Sequence, residues 1–238
     1  MSVGLYASKI QAEVLAEREV LQKAYRDYPD ANLYWCMVDL AQSSNYRLSY
    51  GPERGYIRGE SFFALIKASI RPYAEIRMIK EIGDATLVCG LGFRPLLEAG
   101  ILMLQATKQL AHVAGDEIYP FAIRLGIDFG IAKQLSRRHE DYLGESIDRL
   151  ARIMTVRSNT SSFLLGENAY SQNRKIIEEY KSICQISGPI QLQLPGGKQL
   201  KEQVIYREIL LNFNDLSSFT DYFSEWKKGT QQQPSEQA

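Results

Sequence analysis

The sequence predicts an α+β fold, an antiparallel sheet with helices packed on it, built on a ferredoxin-like βαββαβ core with C-terminal additions. Three observations carry that prediction. "NLYWCMVDLA" (residues 32–41) is an apolar, aromatic-rich run closing on a carboxylate, which reads as a buried strand. "AEIRMIKEI" and "DATLVCGLGF" are strand-like runs set too close together for anything but a hairpin. "PLLEAGILMLQATKQLAHVAG" opens on Pro and closes on Gly, the usual punctuation of a helix.

The remaining elements follow in chain order. Residues 8–26 carry Ile10, Val14, Leu15, Leu21 and Tyr25 among charges, so an amphipathic N-terminal extension (1–30) precedes the main domain (31–228). After the first strand, "QSSNYRLSYGPERGYIRGES" reads as a polar loop rich in Gly, Tyr and Arg. "SFFALIKASIRPY" is a helix capped by Ser61 and stopped near Pro72. Beyond the hairpin and the Pro-to-Gly helix, "PFAIRLGIDFGIA" is a long strand. "SIDRLARIMT" is a helix with Ile147, Leu150, Ala151 and Met154 on its apolar side. "SSFLLGENAYSQNRKIIEEYKS" supplies a short strand and a helix, and "ICQISGPIQLQL" and "QVIYREILL" two more strands. "LSSFTDYFSEWKKG" is a closing helix, and residues 229–238 form a disordered tail.

Composition excludes several classes of function. Lys plus Arg and Asp plus Glu both number 28, so no bulk charge favours nucleic acid or an anionic membrane as partner. Apolar stretches such as "AGILML" are too short to cross a bilayer. The N-terminus acquires charge by Lys9 and has no signal-peptide core. Cys36, Cys89 and Cys184 are scattered, as expected of buried free thiols in a reducing cytoplasm. His112 and His139 are isolated, lack zinc-like spacing and receive no role.

Asp39 ends the first strand and Asp84 opens the third, just past the hairpin turn. In a βαββ arrangement those strands are central neighbours, so the two carboxylates converge at one end of the sheet. With the backbone carbonyl of Leu40 they would suit Mg²⁺ bridging a polyphosphate. Taken singly, each aspartate would be read as a turn residue.

Four motifs in order, "VDLAQSSN", "KEIGDATLV", "RLGIDFGIA" and "DYLGESIDRLARI", resemble the class III nucleotidyl cyclase catalytic domain over residues 34–210. The resemblance implies two divalent metal ions (Mg²⁺ or Mn²⁺) held by Asp39, Asp84 and the Leu40 carbonyl. It also implies a homodimer whose two sites each draw residues from both subunits. Lys80 and Asp141 stand at the base-recognition positions, and Arg152 at the position that stabilises charge on the α-phosphate. Asp148 stands where the family has a ribose-orienting Asn, a departure that removes a donor and adds negative charge. Residues 148 and 152 are i and i+4, on one side of the helix. Ser43 and Ser44 with their backbone N–H groups would meet the phosphates. Lys198 or Lys201 would hold the terminal phosphate; the sequence does not choose between them.

Lys80 donates only and ionised Asp141 accepts only, a pattern that adenine, cytosine and uracil can all match. Ring size then falls to sterics. Tyr46, Tyr50 and Tyr56 follow Asp39 in a stretch longer than the compact loop of purine cyclases, and it looks like the stand-alone pyrimidine cyclases of Pycsar anti-phage defence. That likeness implies cyclic UMP or cyclic CMP as product, with Tyr50 as the residue excluding purines. Arg47, Arg54 and Arg58 are expected to be solvated, with room for one of them to touch a base carbonyl or phosphate. The resemblance further implies a separate activator and a separate effector protein that responds to the cyclic nucleotide. An adenylate cyclase and an inactive nucleotide-binding module are the competing readings; the first is favoured by Lys80 and Asp141, the second by Asp148.

Overall fold

Burial of both faces over the second half of residues 30–40 marks the centre of the sheet. In the computed structural model, which describes residues 11–16, 29–114, 118–135, 141–156, 160–192 and 203–212, this stretch is β1 (Asp30–Leu40). Its even-numbered side chains Cys36, Val38 and Leu40 pack with Phe62, Ile66, Leu97 and Ile101 beneath two long helices. Its Trp35 packs on the opposite face with Leu87, Tyr142 and Leu150, and donates from Nε1 to the Gly130 carbonyl at 3.0 Å. A strand that buries both faces loses the alternating polar residues of a one-sided sheet, which is why this one reads as continuous apolar sequence.

β2 (Ile76–Ile82) and β3 (Ala85–Gly90) form the expected hairpin, and β4 (Ile123–Gln134) flanks β1 on its other side. The order β2-β3-β1-β4 is antiparallel throughout, with α2 (Ser43–Ile70) and α3 (Phe93–Ala114) as crossovers. This is the predicted βαββαβ core. The C-terminal additions extend it: β5 (Tyr142–Leu143) pairs with β4, α4 (Glu145–Ile153) packs on β4, and β6 (Ser162–Gly166) joins β4. β6 runs parallel to β4, because the chain returns through a helix, so the whole sheet is mixed rather than purely antiparallel. β9 (Ile205–Leu211) closes on β6 and carries β7 (Cys184–Ile186) and β8 (Ile190–Gln191).

The largest departure from expectation lies after β1. The predicted polar loop is helical: α2 runs from Ser43, and the non-helical Gly51 (φ 86°, ψ 170°) before Pro52 divides it at a kink into two helical halves. Its buried positions, Tyr46, Arg58, Phe62, Leu65, Ile66 and Ser69, include a tyrosine and an arginine, which hid the helical period from a hydropathy reading. Ser61 is therefore mid-helix rather than a cap, and its hydroxyl donates to the Ile57 carbonyl at 2.9 Å. The predicted helix after β6 is broken at Asn173 into α5 (Glu167–Gln172) and α6 (Arg174–Glu179), and the strand over 183–192 into β7 and β8. Of the N-terminal extension residues 11–16 are helical (α1) and exposed; the closing helix and the tail lie outside the described residues. No described helix is long and apolar enough to cross a membrane.

All three cysteines are free and buried. Burial pushes the Cys36 thiol up to about 12 and that of Cys184 to about 11, so neither ionises near neutrality. The native protein is expected to show no fast thiol reaction with a disulfide reagent at pH 8, and three equivalents once unfolded; a fast native equivalent would contradict this packing.

Candidate active site

The antiparallel register sets Asp39 opposite Ala85, so Asp84, the last residue of the β2–β3 turn, lies beside Asp39. The Leu40 N–H donates to the Asp84 carbonyl at 2.9 Å, fastening the two strand ends. Gly83 makes the turn possible with φ 63°, in the left-handed region where a side chain would be strained. Asp39 is 9% exposed and ion-paired to Arg124, its direct cross-strand neighbour on β4. Ser43 Oγ donates to Asp84 Oδ2. Burial raises the Asp39 carboxyl above its ordinary value; Arg124 pulls it down, and the charge of Asp84 pushes it up again. The two aspartates thus lie close enough to feel each other's charge, as the sequence reading expects.

Beside them is a cavity of about 390 Å³ whose walls include Leu40, Ser43, Ser44, Arg47, Tyr56 and Asp84. The kink at Gly51 turns the second half of α2 back so that its Tyr56 and the first half's Arg47 share this space. Arg47 lies across Gly55: a Cβ built on that glycine would stand 2.9 Å from Arg47 Cγ. Arg47 is one of the three arginines named from the sequence, and it is exposed as expected, but its place in the cavity wall is set by the helix kink. Arg124 is not singled out by the sequence; the available signal is a lone cation inside the apolar strand "FAIRLGI".

The donor set fits the divalent ions that the resemblance implies. Carboxylates and a serine hydroxyl are hard oxygen ligands. Among the described residues no group of three or more His, Cys, Asp or Glu could hold a metal. Two carboxylates beside an open cavity are what Mg²⁺ takes when substrate phosphates and water complete its shell, rather than an all-protein cage.

The tyrosines separate into two groups. Tyr50 is half-buried in an aromatic cluster, tilted against Tyr46 (ring centroids 4.8 Å apart) and edge-on to Tyr119 (6.1 Å), with the Arg54 guanidinium 5.6 Å from its ring. Tyr56 is the tyrosine that lines the cavity. Arg58, expected in solvent, is 1% exposed. Its guanidinium donates to the carbonyls of Ala41, Tyr119 and Pro120 and lies 4.3 Å from the Tyr46 ring, tying the turn after Asp39 to the segment before β4.

Lys80 Nζ and Asp141 Oδ1 pair at 2.5 Å, joining β2 to the start of β5; Asp141 also accepts from the Tyr142 N–H at 2.9 Å. Neither residue lines the cavity beside Asp84. Asp148 and Arg152 stand exposed on α4, and among the described residues no ion pair or hydrogen bond joins either to Asp39 or Asp84. Arg149, between them, turns inward to a fully buried Asp128. Lys198, Lys201 and His139 lie outside the described residues.

No protein-family model matches the chain, and no curated protein matches it. Solved structures do. The adenylyl cyclase CyaB from P. aeruginosa superposes with a TM-score of 0.60 at 16% identity, over 79% of this chain and 98% of that one. The guanylate cyclase domain of RhGC from Catenaria anguillulae, solved with GTP, gives 0.57 at 12% identity over 77% and 98%. A dimeric guanylyl cyclase domain of the RhoGC fusion protein from Blastocladiella emersonii gives 0.56 at 13%, also over 77% and 98%. The chain therefore has the class III cyclase fold, across nearly the whole length of each of those domains.

Proposed function

We propose that this chain is a divalent-metal-dependent nucleotidyl cyclase acting as a homodimer, with UTP as preferred substrate and 3′,5′-cyclic UMP and pyrophosphate as products. The observation that carries the reading is the convergence of Asp39 and Asp84 at adjacent strand ends, beside a cavity walled by Ser43, Ser44 and Arg47, on a fold shared with cyclases. The ribose 3′-oxygen forms a bond to the α-phosphorus as the bond to pyrophosphate breaks. Asp39, Asp84 and the Leu40 carbonyl would hold the metal, which acidifies the 3′-hydroxyl and stabilises phosphate charge. Ser43, Ser44 and Arg47 bind phosphate oxygens, and Arg152 stabilises charge growing on the α-phosphate. Asp148 accepts a hydrogen bond from a ribose hydroxyl. Lys198 or Lys201 holds the terminal phosphate.

The separation of two residue sets supports the dimer. Among the described residues no ion pair or hydrogen bond joins Asp148 or Arg152 to the aspartates of their own subunit, and a site that needs both sets would be completed by a second copy. Lys80 and Asp141 are each about two-fifths exposed, so their pairing is worth no more than about 1 kcal/mol and yields readily to a base edge entering between them. The preference for a pyrimidine rests on the α2 tyrosines, with Tyr50 as the size gate, its ring held by Tyr46 and Tyr119. The cyclic product acts on a separate effector protein in anti-phage defence.

The test is incubation of the purified protein with all four nucleoside triphosphates and Mn²⁺, the products being identified by mass spectrometry. Cyclic UMP, alone or with cyclic CMP, is expected; cyclic AMP alone would make the chain an adenylate cyclase, and no product would leave it a binding module. In Tyr50→Ala the purine-to-pyrimidine product ratio is expected to rise about tenfold or more, the size of a lost steric rejection. An unchanged ratio would remove Tyr50 as the gate.

A further inference from the structure

Helix α4 is held in an unusual way for the element that carries Asp148 and Arg152. It has nine residues, and no side chain caps its first turn, where Gly144 stands at the N-cap position. Ser146, Leu150 and Ile153 are buried beneath it. It rests on β4 over two glycines: a Cβ at Gly126 would stand 2.8 Å from Met154 Sδ, and one at Gly130 2.8 Å from Ser146 Cβ. Apolar contacts of this kind set how close a helix lies but resist rotation about its axis only weakly. The polar tethers resist it. Ser146 Oγ donates to the Ile131 carbonyl at 3.0 Å. Arg149 donates from Nε to Asp128 Oδ2 at 2.5 Å and from Nη2 to the Phe129 carbonyl at 3.0 Å, gripping two successive residues of β4.

The acceptor end of that grip is itself seated. Asp128 is 0% exposed, in the middle of β4. Its Oδ1 faces the Ala169 N–H at 3.4 Å, and a Cβ on Gly166 would lie 2.3 Å from the same oxygen, so only glycine leaves room for the carboxylate. A buried carboxylate is costly unless paired and hydrogen-bonded, and an apolar residue would fill the site without that cost. Such a pair suits a role in fixing geometry more than one in raising stability.

We infer that Asp128 and Arg149 are positioning residues that fix the rotation of α4, and through it the placement of Asp148 and Arg152 at the shared site. The inference rests on the cyclase reading and adds to it two residues that touch no substrate. The lever is short. Side-chain tips lie about 5–6 Å from a helix axis, so a roll of about 10° moves the Arg152 guanidinium by about 1 Å. A displacement of that size costs about a hundredfold in rate when the displaced group acts on the reacting atoms. Arg149 immediately follows Asp148 and lies three residues before Arg152, so no turn of helix separates the tether from the groups it aims.

The test is a double-mutant cycle on the full-length dimer, with turnover of the Mn²⁺ nucleotide followed by mass spectrometry. Asp128→Asn is expected to lower kcat about 10- to 100-fold with KM within about threefold of wild type. Arg152→Ala lowers kcat by about 10²- to 10³-fold. The double variant is expected within about threefold of Arg152→Ala alone, because a misaimed arginine and an absent one are nearly equivalent. Arg149→Gln, which keeps the helix stem, gives the same pattern should Asp128→Asn fail to fold, and Arg149→Lys is expected to recover part of kcat. Losses that multiply in the double variant would assign the pair to general stability and overturn the inference. An Arg152→Ala enzyme as active as wild type would instead overturn the catalytic reading of α4, and the positioning role with it.

Discussion

Asp84→Ala is expected to leave a folded protein whose turnover has fallen by about a thousandfold or more, since a lost metal site removes several kcal/mol of transition-state charge stabilisation. The fold should tolerate the change. Asp84 sits in a turn, its side chain accepts, among the described residues, from Ser43 Oγ alone, and its backbone carbonyl, which the Ala variant keeps, makes the bond to Leu40. Removing its charge also relieves Asp39 of a neighbour that raises its carboxyl. Asp39→Ala should be equally inactive but less stable. It strips Arg124 of its partner, and the Arg124 Nε is already buried without a hydrogen bond. An unsatisfied buried polar group costs about 1–3 kcal/mol, and in a domain of this size that lowers the melting temperature by roughly 3–9 °C. Activity assays paired with thermal melts of both variants check this. Retained turnover in either would refute the metal assignment, and equal melting temperatures would refute the asymmetry between the two aspartates.

Arg152→Ala is expected to reduce kcat by about 10²- to 10³-fold with little change in stability, the usual loss when one preorganised donor to a developing oxyanion is removed. Arg152 is exposed, in the last turn of α4, and among the described residues its side chain makes no hydrogen bond or ion pair. The chain thus has no structural use for it that the Ala variant would forfeit, beyond a small favourable interaction with the helix C-terminus. In the proposed homodimer its partners for catalysis would belong to the other subunit, so the effect should be complemented in trans. A mixture of Arg152→Ala and Asp84→Ala subunits forms heterodimers in which one of the two sites keeps every residue. Recovered turnover in the mixture is expected; none at any mixing ratio would argue against a shared site.

Much of this was legible in the residues themselves. The hairpin with Gly83 at its turn, the buried first strand and the i, i+4 pair on α4 all follow from local chemistry: backbone freedom, apolar runs and helical spacing. The α2 segment was not legible because its buried face uses Tyr46 and Arg58, polar-tipped residues that a hydropathy pattern counts as solvated. Arg58 tolerates burial only because three carbonyls from two distant segments meet it, and such a meeting exists only in the folded chain. Asp128 was hidden in the same way, as one aspartate in an apolar strand whose partner lies 21 residues later.

By itself the sequence determined the core strands and the crossover helices, their order and which carboxylates stand at strand ends, because those depend on neighbours along the chain; it did not determine the first half of α2. The tertiary structure alone decided that Asp39 faces Arg124, that Arg47 and Tyr56 share a cavity, that Tyr50 is held in an aromatic cluster, and that α4 is tethered through Arg149 to Asp128. Each of these depends on the register of one strand against another or the bend of a helix. Those are set by the packing of the whole core; a shift of one residue in strand register would face Asp39, Arg124 and Asp128 the other way.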